Sequence, residues 1–225
     1  MSSALLIAIV GAESTGKTEL ARALAWRIEK HTGLACTAVP EHLRAWCDRE
    51  GRTPQRNEQA AIAAAQSAAI DTAASEHEVV VCDTTALMTA VYSRMVFDDH
   101  SLVGAAVDWQ GRCAITLLTA LDLPWAADGL QRDGPHVREP VDRLLRDLLI
   151  SHKLPWALVG GAGAARVDSA LDAVAPLLRA KPAPRRGLFS RLAERNAEAA
   201  ARPWTCENCD DPGCEHLTRQ RRPVG

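Results

Sequence analysis

Eight residues, Gly11-Ala-Glu-Ser-Thr-Gly-Lys-Thr18, stand directly between an uninterrupted apolar run, Leu5 to Val10, and a stretch with helical apolar spacing, Lys17 to His31. In a strand, turn, helix setting this Gly-x4-Gly-Lys-Thr pattern is a phosphate-binding loop. Its spacing follows from what it holds. Glycines let the backbone curl until successive N–H groups point inward at phosphate oxygens, and the following helix adds its positive dipole end. The loop residues Gly11, Glu13, Ser14, Thr15 and Gly16 are expected to cradle the phosphates of ATP. Lys17 is placed to reach the β- and γ-phosphate oxygens, and the Thr18 hydroxyl to ligate magnesium. A run that is apolar at every position, as Leu5 to Val10 is, marks a strand buried on both faces of a parallel sheet.

The rest of the chain continues the alternation. Ala35 to Val39, Val79 to Cys82, Ala114 to Thr119 and Ala157 to Val159 read as strands. Between and after them, Glu41 to Arg49, Asn57 to Ser75, Thr85 to Phe97, Pro140 to His152 and Val167 to Leu178 read as helices. The alanine-rich Asn57 to Ser75, without interior Gly or Pro, is expected to be the longest. The pattern predicts an α/β, three-layer fold of the P-loop NTPase and nucleoside-kinase type with a five-stranded parallel sheet. Right-handed crossovers bring every strand's C-terminal end to one edge, where ligands bind. This unit occupies residues 1–180. Residues 181–202 form a Pro- and Arg-rich linker and an amphipathic segment, and 203–225 a cysteine-bearing tail.

Composition narrows the function classes. A net charge of -2 gives no global reason to expect nucleic acid or an anionic membrane. The segment from Lys181 onward carries nine Lys and Arg against six Asp and Glu, so a tail of +3 follows a body of -5. The opening residues have no basic n-region, and no apolar stretch reaches the ~18 residues of a membrane span, which predicts a soluble, cytoplasmic protein. Cys36, Cys47, Cys82 and Cys113 have no framework spacing and read as reduced thiols. In the tail, Cys206, Cys209, Cys214 and His216 supply three thiolates and an imidazole within eleven residues. Such a set suits tetrahedral zinc, although Cys214-x-His216 is tight for two ligands on one ion, and a polar tail with free thiols is the alternative.

Asp83 closes an apolar strand, where a carboxylate would be within reach of a phosphate-bound magnesium ion; capping of the next helix is the simpler alternative. With Pro-Glu-His-Leu-Arg at 40–44, Gln66, Cys-Asp-Thr-Thr at 82–85 and Pro-Trp-Ala-Ala-Asp-Gly-Leu at 124–130, the sequence from about Leu5 to Leu178 resembles the ribosylnicotinamide kinase domain of NadR-type proteins, within the P-loop AAA-like ATP-binding domains. No adenylyltransferase-like segment precedes Leu5, and Gln131 displaces the Asp-Gly-Leu-Arg of the pattern.

The resemblance implies an enzyme that passes a phosphoryl group from ATP to a small nucleoside-like acceptor, with nicotinamide riboside the foremost acceptor. An ATPase or nucleotide-dependent regulator acting on a protein partner, or a kinase of another nucleoside or nucleotide, is the rival reading. Glu41 is the candidate to hold or deprotonate the acceptor hydroxyl, with Arg44 a turn later; an exposed ion pair is the plainer account of these two. Arg132 and Arg138 are candidates for clamping developing charge from a lid over Asp122 to Arg138, with Asp128 in its turn. Tyr92, Trp125 and Trp46 are candidates to stack on a flat ring, Gln66 to offer an amide, and Gly161 to pass the adenine. Oligomeric state leaves no mark on the sequence.

Overall fold

The structure is a computed structural model that describes residues 4–127 and 134–181. Five strands, β1 (Leu5–Val10), β2 (Cys36–Val39), β3 (Val79–Asp83), β4 (Ile115–Thr119) and β5 (Trp156–Val159), form one parallel sheet in the order β2-β3-β1-β4-β5. β1 is central, with Ile7 opposite Val81 on one side and Ile115 on the other. Helices α1 (Lys17–Thr32), α2 (His42–Glu50), α3 (Gln59–Glu76), α4 (Ala86–Phe97), α5 (Val103–Gln110), α6 (Arg138–Ser151) and α7 (Ala164–Arg179) cover it. This is the α/β P-loop fold with the five-stranded parallel sheet that the sequence predicts.

The pleat of β1 sorts its side chains between two cores. Ile7 and Ile9 face α1 and α7, where Leu20, Leu24, Ile28, Leu171 and Val174 pack on Val81 and Leu117. Leu6, Ala8 and Val10 face the other layer, against Ile70 of α3, Leu87 of α4 and Leu145 of α6. α3 is the longest described helix at 18 residues, as its composition requires. Cys36, Cys47, Cys82 and Cys113 are free and buried. Among the described residues no helix is long and apolar enough to cross a membrane.

One helix departs from the sequence reading. α5 is short and contains Gly104, both of which hide it from a propensity scan. Tertiary contacts stabilise it instead. Gln110 at its end accepts a hydrogen bond from Thr85 at 2.7 Å and donates one to Thr116 at 2.7 Å, tying α5 to β4 and to the turn after β3. α6 also begins earlier than expected, at Arg138. Pro140 falls in its first turn, where the missing N–H has no intrahelical partner to lose. Asp128 and Arg132, and the tail with Cys206, Cys209, Cys214 and His216, lie outside the described residues.

The two faces of α1 set a stability contrast. Leu24 is fully buried whereas Trp26 is 56% exposed. Leu24→Ala is expected to cost about 3 kcal/mol in urea unfolding and Trp26→Ala less than about 0.5 kcal/mol.

Candidate active site

The loop after β1 is shaped by its glycines and by Thr119 at the end of β4. Gly11 has φ 153°, and a Cβ there would collide with the Thr119 hydroxyl. Thr119 Oγ1 lies 2.7 Å from Thr15 Oγ1, which donates to the Ala12 carbonyl at 2.8 Å. Gly16, at φ 73°, opens α1 in the left-handed region, so the first amides of the helix turn inward. Lys17 Nζ donates to the Ala12 carbonyl at 2.8 Å, which holds the ammonium over the loop.

A cavity of about 1030 Å3 opens from this loop along α2 and α4. That is the upper end of the range for small-molecule sites, enough for a nucleotide phosphate group and a second ligand. Lys17, Thr18, Glu41, Arg44 and Tyr92 all line it. Parallel topology explains the convergence: Glu41 follows β2, Asp83 ends β3 and the loop follows β1, so three adjacent strands deliver their C-terminal residues to one edge.

Two carboxylates meet the Lys17 ammonium there. The Glu41 side chain is 12% exposed, and its nearest ion pair, to Arg44 Nε, is long at 4.0 Å. Burial pushes its carboxyl above the usual range, Lys17 opposes that shift, and the Asp83 charge adds to it. Asp83 is 2% exposed, and its Oδ1 has no hydrogen-bond partner. Burial raises its carboxyl too, with the Thr18 hydroxyl, Lys17 and the arginines Arg44 and Arg22 pulling the other way. A hydroxyl at Thr18 beside a buried carboxylate oxygen left without a partner is a hard-oxygen donor set that fits magnesium.

Other sequence candidates are placed differently. Gln66 is buried and fully engaged: its amide donates to the Pro40 and Thr84 carbonyls, each at 3.3 Å, and its carbonyl accepts the His42 amide at 2.6 Å. It therefore has no amide group left to offer a substrate, and instead joins the turn before Glu41's helix to the turn after Asp83. Trp125 and Trp46 do not line the cavity, and Trp46 is covered by the Arg52 guanidinium at 4.9 Å. Arg138 is buried at the first position of α6, away from the cavity lining. Gly161, at φ 89°, follows β5, on the opposite side of β1 from Glu41 and Asp83.

Sequence reasoning missed Arg22 and the wall formed by Leu43, Pro54, Val96 and Phe97. Arg22 stands one helical turn beyond Thr18 on α1, and that i, i+4 spacing is the signal that would have found it. The wall comes from three separate elements, so no local pattern marks it. The chain following β4 is also seated on the loop: the Ala126 amide donates to Ser14 Oγ at 2.8 Å, and Leu123 lies against Gly16.

Together the sheet order and the glycine loop define a P-loop protein of the nucleoside- and nucleotide-kinase-like fold. Residues 6–166 match the model of an AAA-domain family, and the chain belongs to that family. Among solved structures it is similar to the NadR protein in complex with NAD and AMP-PNP, with a TM-score of 0.61 and 18% identity over 79% of this chain and 50% of that one. It is also similar to the NadR protein in complex with NR, with a TM-score of 0.60 and 18% identity over 79% of this chain and 52% of that one. The chain thus spans about half the length of these relatives, and at 18% identity the likeness is one of fold. A search of the curated proteins gives no match.

Burial of Asp83 fixes the sign of a pH effect. A carboxyl raised in the folded state contributes stability that is complete below its unfolded value and lost as pH climbs through the raised one. Asp83→Asn is therefore expected to raise the melting temperature at about pH 7, with the gain vanishing toward about pH 4. Equal melting temperatures for the two proteins at both pH values would contradict the burial argument.

Proposed function

We propose that this protein transfers the γ-phosphoryl group of ATP to a hydroxyl of a small nucleoside-like molecule, with nicotinamide riboside, the acceptor implied by the sequence resemblance, as the first candidate. The observation that carries the reading is the meeting of Glu41 and Lys17 at one wall of a cavity with room for a second ligand, with the buried Asp83 beside them. The half-buried Tyr92 and the apolar wall beyond the phosphate loop give a nucleoside-like acceptor a place to sit. Support also comes from the fold shared with NadR proteins, one of them in complex with NR.

The chemistry follows from the residues. Phosphoryl transfer has a loose transition state whose charge spreads over the equatorial oxygens, so catalysis rests on positioning and on cations. The loop amides and Lys17 take the phosphates. Glu41, held by its burial in a proton-accepting position, accepts a hydrogen bond from the acceptor hydroxyl and orients its oxygen toward the γ-phosphate. Magnesium would be held by Thr18 and Asp83, and when bound it supplies positive charge to the β- and γ-phosphate oxygens. Tyr92 offers an aromatic face to a flat ring, and a cationic pyridinium gains an electrostatic term there.

Purified protein incubated with ATP, magnesium and nicotinamide riboside is expected to release ADP and the mononucleotide in equal amounts. ADP release that no nucleoside accelerates would favour a nucleotide-driven regulator instead. Lys17→Ala should lower turnover by about a hundredfold or more, through loss of a charge on the migrating group. Glu41→Gln is expected to lower kcat by about 10²–10⁴ while ATP affinity, read by calorimetry, stays the same.

A further inference from the structure

Gln59, the first residue of α3, lines the cavity that opens from the phosphate loop. It is only 4% exposed, and its Oε1 has no hydrogen-bond partner. An amide oxygen taken out of water without a donor carries the full loss of its hydration, so folded proteins seldom keep one without a use for it. Two other buried polar side chains show the contrast. On the far side of β1 from Glu41, Arg166 of α7 donates to the Val159 and Ala120 carbonyls at 3.0 and 3.4 Å and to Asp122 Oδ1 at 2.6 Å, which ties the ends of β5 and β4 together. Gln66, on the same helix as Gln59, has both ends of its amide engaged by backbone.

The helix sets where the free oxygen lies. Gln59, Ile62, Gln66 and Ile70 are the buried residues of α3 and fall on one stripe. Gln66 bonds to the turns that carry Glu41 and Asp83, so its end of the stripe is level with the carboxylates. Gln59 precedes it by two helical turns, about 10 Å along the axis. α3 leads into the start of β3, so those two turns carry Gln59 beyond the sheet edge at which Glu41 and Asp83 meet. The same cavity has Leu43, Pro54, Val96 and Phe97 as its apolar wall and Tyr92 as an aromatic face. An apolar slot with a single well-placed polar group is the form in which small-molecule sites fix a ligand's orientation.

We propose that Gln59 is a specificity-determining residue for the phosphoryl acceptor: its Oε1 accepts an N–H from an amide or amino substituent on the acceptor's flat ring, while Glu41 takes the hydroxyl at the ligand's other end. This rests on the reading of the cavity as an acceptor site, and it adds the class of acceptor, a ring that carries an N–H donor. The two turns between Gln66 and Gln59 separate the ring substituent from the reacting hydroxyl. A ring without a donor leaves the buried oxygen unpaired, and that penalty is the source of the discrimination.

Steady-state kinetics of the full chain with ATP, magnesium and either nicotinamide riboside or ribosylpyridinium, which lacks the carboxamide, test the proposal. The unaltered protein is expected to favour nicotinamide riboside in kcat/KM by about tenfold or more. Gln59→Leu, close in volume but without the carbonyl, should lower kcat/KM for nicotinamide riboside by about tenfold, chiefly through KM, and leave ribosylpyridinium within about twofold. Because Oε1 has no protein partner to lose, the melting temperature of Gln59→Leu should not fall; if that variant does not fold, Gln59→Met carries the same readout. Equal losses for the two acceptors, or no preference between them in the unaltered protein, would overturn the proposal while the kinase reading stands. Turnover of neither riboside by the unaltered protein would overturn the nicotinamide riboside reading and this proposal together.

Discussion

Two carboxylates held out of water beside one ammonium group are the constraint around which this site is built. Burial and the Asp83 charge raise the carboxyl of Glu41, burial raises that of Asp83, and a nearby cation opposes both shifts. Lys17 supplies it, and Lys17 is where it is because the preceding loop turns its backbone inward on two glycines and a threonine contact. The unpartnered Oδ1 of Asp83 is what remains of that balance: a buried oxygen with a lone pair to give, beside the Thr18 hydroxyl. Local instability of this kind is common where a ligand completes the set.

The sheet order divides the work. β3 and β2 lie on one side of β1 and bring the carboxylates and the cavity with its apolar wall; β4 and β5 lie on the other and bring the Asp122–Arg166 pair and the glycine turn. The chain that follows β4 belongs to both halves, since it runs from Asp122 to a contact with Ser14. On the β3 side of β1, Gln66 joins the two turns that carry Glu41 and Asp83.

How much of this was legible follows from how local each feature is. The strand, loop, helix unit at Leu5 to His31 was fully readable, because eight consecutive residues encode the loop and uniform apolarity encodes the strand. Asp83 and Glu41 were readable from strand ends, since parallel topology alone aims such residues at one edge. α5 was not, because eight residues with a glycine carry too little helix propensity and Gln110 earns its place through contacts with Thr85 and Thr116. Gln66 was read as an amide offered to a substrate, whereas its amide is engaged by Pro40, Thr84 and His42, because sequence does not say which amide is already saturated. Arg166 fell just before the helix read at Val167 to Leu178, which begins at Ala164, and nothing in its neighbours distinguishes a buried arginine from a solvated one; only the approach of two strand ends does.

The collision between a side chain at position 11 and the hydroxyl of Thr119 has an evolutionary corollary. The two positions share one small volume, so they cannot drift separately: bulk gained on the first strand's exit must be surrendered on the fourth's. A lineage that lost the threonine's oxygen would also lose the anchor of Thr15, and with it the curl of the loop. Residue 119, remote from the motif that names the fold, thus shapes the loop as directly as the motif's own residues do.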